Sequence, residues 1–97
     1  MSVLISYEHH MVNKKSNDLK TITGAQIRAA RALLGWTAVD LAREAMLGVA
    51  TIRRAELVDG PVNMTLSNLA AILRTFESAG VDFIPRNGGG PGVRLRS

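Results

Sequence analysis

The chain has no cysteine among its 97 residues. That excludes a disulfide framework, a thiolate metal site and a cysteine nucleophile, and it suits a reducing cytoplasm. Aromatic residues make up only 4%. Alanine and leucine dominate instead, as expected of short helices packed closely together. No apolar run approaches the roughly 18 residues of a membrane span, so no membrane partner is expected. The N-terminus lacks a basic segment followed by an apolar core, the mark of a secretory signal. Histidine is scarce: His9 and His10 stand side by side, with no carboxylate or third histidine at ligand spacing. No metal or other cofactor is therefore expected. No acid, base and nucleophile are spaced as catalysis requires, and the chain reads as a non-enzyme. There are no internal repeats.

What remains is a small basic chain. A length of 97 residues fits one domain, and 46% apolar content is enough for a small core. The formal charge is +4 and the pI is near 10.4, which favours contact with a polyanion. The excess gains weight because Arg28, Arg43, Arg53 and Arg54 fall in and around one stretch, Trp36 to Glu56.

That stretch organises the rest. Thr37 is placed to N-cap a helix, with Asp40 at the capping-box position. Leu41, Ala42 and Ala45 then recur at one-turn spacing and share an inward face. Met46, Leu47 and Gly48 interrupt the pattern. A second segment, Val49 to Leu57, turns Val49, Ile52 and Glu56 inward and shows Ala50, Thr51, Arg53 and Arg54 outward. Helix, three-residue turn and basic helix read as a helix-turn-helix, and a small-plus-basic outer face suits the major groove.

On either side the signals are local. Residues 1–20 read as a flexible N-terminal extension, with a weak strand alternation at Val3, Ile5 and Tyr7 and a polar run from Asn13 to Asp18. Thr23 and Gln26 form a capping box that opens a helix from Gly24 to Leu34, with Ile27, Ala30 and Leu34 inward and Gly35 as its stop. Trp36 is expected to cover the gap between this helix and the next. Asp59, Gly60 and Pro61 make a turn, and Thr65 caps a helix from Leu66 to Ala79. Leu69, Ile72, Leu73 and Phe76 are its buried face, and Gly80 closes it. Val81 to Ile84 and Val93 to Leu95 read as two short strands around a glycine-rich turn. An exposed edge there is a plausible site for pairing with a second copy. The expected architecture is all-α: a four- to five-helix domain over residues 21–80, with a strand or hairpin tail over 81–97.

The segment from Trp36 to Glu56 resembles the helix-turn-helix of the XRE class, the Cro- and lambda-repressor-like proteins, in the manner of a small bacterial member. Leu41, Ala42, Val49, Ile52 and Glu56 carry the resemblance, which extends from about Thr21 through the glycine-rich tail to Arg96. It implies a compact lambda-repressor-like fold. It also implies that Arg31 on the first helix pairs with Glu56 at the end of the recognition helix. Ala50, Thr51 and Arg54 would face base edges, with Arg54 able to fork onto guanine. Arg43, Arg53 and the helix start at Thr65 would lie near phosphates. Binding would be as a homodimer on half-sites about one helical turn apart.

Three positions depart from the pattern of that class. A phosphate-binding Gln on the second helix is replaced by Ala38, the turn glycine by Met46, and the Ser or Thr cap of the recognition helix by Gly48. Met46 and Leu47 would then offer an apolar surface beside the basic helix. Two functions follow as expectations. The first is a sequence-specific transcription regulator on double-stranded DNA. The alternative is a helix-turn-helix protein that binds a protein partner, as an antiactivator of a transcriptional activator or as an antitoxin. A buried Met46-Leu47 surface would favour the first, and one exposed and contiguous with other apolar groups the second.

Overall fold

The computed structural model describes residues 21–85 and 89–96. The extension 1–20, with its expected strand, polar run and histidine pair, lies outside the described residues, as do Arg86 to Gly88 of the glycine-rich turn. Four helices and a two-stranded antiparallel hairpin make up the described part.

Helix α1, Gly24–Leu34, begins where two side chains supply what its first turn lacks. Thr23 Oγ1 accepts from the Gln26 N–H at 3.0 Å, and Gln26 Oε1 accepts from the Thr23 N–H at 2.9 Å. The helix stops at Gly35, whose φ of 68° is left-handed. Helix α2, Ala38–Ala45, opens with a second capping box between Thr37 and Asp40. Met46, Leu47 and Gly48 link it to α3, Val49–Glu56. The connection after α3 is strapped to the start of α1: Gly24 N–H donates to Gly60 O and Val62 N–H to Ile22 O, both at 3.0 Å. Helix α4, Leu66–Ser78, is capped by Thr65, which accepts from the Asn68 N–H. Gly80, at φ 95°, turns the chain into β1, Val81–Ile84. Its partner β2 is Gly92–Leu95, in the register Val81↔Leu95 to Ile84↔Gly92.

Each helix and the hairpin send at least one fully buried side chain to a common centre. Ile27, Leu41, Ile52, Ile72 and Phe76 come from the helices and Val81 from β1, all under 2% exposed. Burying each aliphatic or aromatic chain of this size is worth about 1.5–3 kcal/mol. The inward faces expected from spacing are buried at Ile27, Ala30, Leu41, Ala42, Ala45, Leu69, Ile72 and Phe76. Leu34, Val49 and Leu73 are only partly buried, at the margin of that core. Ala55 is buried too, because α3 turns its 52/55 edge, not its 49/56 edge, most deeply inward. Trp36 does not lie over the gap between α1 and α2 alone: its ring stacks on Phe76 of α4 at 5.8 Å. No helix among the described residues is long and apolar enough to cross a membrane.

Candidate nucleic-acid interface

Helix α3 is two turns long, so its faces can be read residue by residue. Ile52 and Ala55 are buried against the core. Ala50, Arg53, Arg54 and Leu57 are exposed, and their spacing of three, four and seven puts them on one outward stripe. Thr51 lies at the stripe's edge, half-buried. Its hydroxyl is 3.5 Å from Arg54 Nη2, at the outer limit of a hydrogen bond, so the guanidinium is not locked. Among the described residues no carboxylate stands within 4.0 Å of Arg53 or Arg54.

The other two arginines of the basic cluster are engaged. Arg43 pairs with Asp40 at 3.0 Å, one turn back on the same helix, and reaches Glu44 at 3.8 Å. Arg28 pairs with Asp59 and donates to the carbonyls of Glu56 and Val58. It therefore closes the C-terminal end of α3, where a cation also meets the negative end of the helix dipole. Arg28 sits one turn before Arg31 on α1, so both face the end of α3.

Arg31 and Glu56 form a two-pronged ion pair between α1 and the end of α3, with N–O distances of 2.6 and 2.7 Å. It fixes the angle at which α3 leaves the core. The Arg31 pKa is pushed up, chiefly by the hydrogen bonds to Glu56 and against the opposing effect of burial.

The turn before α3 separates the two apolar residues expected to act together. Met46 is 89% exposed, whereas Leu47 is half-buried and packs on the core. The reason is local: Met46 takes φ 60°, ψ 43°, which ends α2 in the left-handed region and swings its side chain outward. It is the one non-glycine residue with positive φ among those described. Gly48 starts α3 with no side-chain cap. Thr65 caps the start of α4. It lines a groove with Thr51, Arg54 and Asn68, so the start of α4 and the outward stripe of α3 border one surface.

Two contacts that spacing does not reveal hold this arrangement. Gly24 lies so close to the end of α3 that a Cβ there would come within 2.0 Å of Val58 O. Gln26, already half of a capping box, also donates from Nε2 to the carbonyls of Ile84 and Gly92, at 3.2 and 3.0 Å. Among the described residues no cluster of three His, Cys, Asp or Glu is arranged to hold a metal. No family model and no curated protein matches the chain.

Proposed function

We propose that the chain is a helix-turn-helix protein of the XRE type, α2 and α3 being its two helices, and that it binds double-stranded DNA as a transcription regulator. One observation carries the reading. Arg53 and Arg54, free of carboxylates among the described residues, stand on the exposed stripe of a short helix whose other face is buried. Fixing a short basic helix outward from a rigid core is what major-groove reading asks for. Arg54 with Ala50 and Thr51 would meet base edges. Arg53 and the amides at the start of α4, next to Thr65, would meet phosphates. Arg43 makes a weaker phosphate contact than its position suggests, since it must first leave Asp40. The test is a titration of the purified chain against the DNA upstream of its own reading frame at physiological salt, with unrelated DNA as competitor. Binding that the unrelated DNA removes at equal concentration would sink the proposal.

The second reading, an antiactivator or antitoxin that binds a protein, is supported by the exposure of Met46 alone, since Leu47 is half-buried and does not extend an apolar patch. A thioether 89% exposed, in a backbone conformation that glycine adopts more cheaply, does nothing for the core. On that reading Met46→Gly weakens a partner complex. On the DNA reading it leaves DNA affinity unchanged or improves it.

A further inference from the structure

The segment that leaves α3 carries apolar side chains that the core does not use. Leu57 is 81% exposed and Val58 43%. Val58, two residues past the end of α3, lines a groove of about 290 Å³ between α3 and the start of α4 together with Thr51, Arg54, Ala55 and Met64. Ala55, Val58 and Met64 give it an apolar strip, bordered by Thr51, Asn63, Thr65 and Asn68. Its mouth is basic, since Arg54 is in the lining and Arg53 lies beside it on α3.

We infer that this groove, with Leu57 and Arg53 exposed beside it, docks an acidic amphipathic helix of another protein, whose apolar side chains meet Val58 and Met64 in the groove and Leu57 outside it and whose carboxylates meet Arg54 and Arg53. Charge complementarity selects the occupant. A second copy would bring the same two arginines, which have no carboxylate partner among the described residues, against one another, on chains of formal charge +4, and like charges facing each other suppress pairing. DNA satisfies the arginines but not the leucine and valine. A reading helix meets bases with its N-terminal residues, and Leu57 and Val58 follow the last residue of α3. An acidic helix satisfies both halves, because carboxylates pair with guanidinium groups and residues at one-turn spacing fill an apolar groove. The inference stands apart from the DNA proposal, although the shared Arg54 makes the two occupants mutually exclusive.

The test is an anisotropy titration of the full chain with three labelled peptides of about four helical turns. One carries leucines at i, i+3, i+4 and i+7 with glutamates elsewhere. The second has lysines in place of the glutamates. The third scrambles the first, keeping its composition and losing the stripe. The first is expected to bind at least about tenfold tighter than either control. Leu57→Ser and Val58→Ser should each weaken it by about tenfold with the circular dichroism spectrum unchanged, and Arg54→Glu should transfer the preference to the lysine peptide. Equal binding of the scrambled peptide would leave only a charged surface and overturn the inference. So would a Leu57→Ser variant that loses DNA affinity in the same measure, which would give the patch to DNA. A dimer in sedimentation velocity that Leu57→Ser dissolves would give it to a second copy, with the same result. A wild-type chain that ignores DNA but binds the acidic peptide would sink the DNA proposal alone.

Discussion

Arg31 grips Glu56 through two nearly parallel hydrogen bonds, Nε to Oε2 at 2.7 Å and Nη2 to Oε1 at 2.6 Å, while its Nη1 donates to Trp36 O at 2.9 Å. One side chain of α1 thus ties the end of α3 to Trp36, the residue before the cap of α2. The Glu56 side chain is only 9% exposed and that of Arg31 21%. Removing one partner of such a pair strands the other charge in a poorly hydrated place. Glu56→Ala is therefore expected to lower stability by about 3 kcal/mol or more. A urea midpoint equal to that of the wild type would show that the pair holds nothing together.

Gly24 sets how closely α1 approaches the end of α3. A Cβ at this position would lie 2.0 Å from Val58 O and 2.6 Å from Ala55 O, and both obstacles are backbone. No rotamer relieves them, so one helix end must move. Gly24→Ala is expected to cost about 3 kcal/mol, the upper range for overpacking. The control is Gly60→Ala, where the added methyl meets nothing within 4 Å. Equal thermal midpoints for the two variants would refute the account.

The helix starts and stops were legible because they are local. A hydroxyl and a Gln or Asp three residues on announce a capping box, and those at Thr23–Gln26 and Thr37–Asp40 form. Gly35 and Gly80 turn with positive φ where a stop was expected. The long-range contacts were not legible, and the reason is physical. Gln26 reaches the carbonyls of Ile84 and Gly92, 58 and 66 residues away, and Arg28 reaches the carbonyl of Glu56. A backbone carbonyl has no sequence identity, so nothing in the chain marks it as an acceptor before the elements dock. Of the four clustered arginines, the sequence showed a shared location but not that Arg28 and Arg43 already have partners. Met46 was legible as a misfit at the turn. Its separation from Leu47 was not, because a single left-handed residue sends neighbours to opposite sides.

That misfit has a stability cost. The left-handed conformation costs a non-glycine residue about 1–2 kcal/mol, and glycine's larger unfolded-state entropy offsets about 0.5–1 kcal/mol of the relief. Met46 has no core contact to lose, being 89% exposed. Met46→Gly is accordingly expected to raise stability by about 0.5–1 kcal/mol. A lower denaturation midpoint in the variant would mean that the methionine side chain is held by something other than solvent.

The Asp40 carboxyl titrates below the usual range, first because it accepts from the Thr37 N–H and then because it pairs with Arg43. The folded pKa lies below the unfolded value of about 3.9. The contribution of Asp40 is therefore fully present above that value and is lost as pH falls through the lower, folded pKa. A carboxyl ¹³C titration of Asp40 should give a midpoint below about 3.9, and the first turn of α2 should loosen over the same interval. Asp40→Asn should remove this part of the acid sensitivity. A midpoint at or above the ordinary value would contradict the capping account.

Arg53 and Arg54 are expected to act differently. They are adjacent in sequence, yet they point about 100° apart around α3. Arg54 lies beside Thr51 and lines the groove toward α4, while Arg53 does not line it. On the DNA proposal Arg54 meets a base edge and Arg53 a phosphate, and the two losses differ in kind. Arg54→Ala should cost about 1–3 kcal/mol at the cognate site and relax the preference at one base pair. At unrelated DNA it should cost much less. Arg53→Ala should weaken all sequences evenly and make the salt dependence shallower by about one unit of slope, since one phosphate contact releases about one counterion fewer. The measurement is a salt series of binding isotherms for both variants on cognate and unrelated duplexes. If both variants shallow the salt slope alike and neither changes the ratio of cognate to unrelated affinity, α3 touches DNA only as a cation. Sequence reading by this helix would then be excluded, leaving the protein-binding reading as the account of its exposed face.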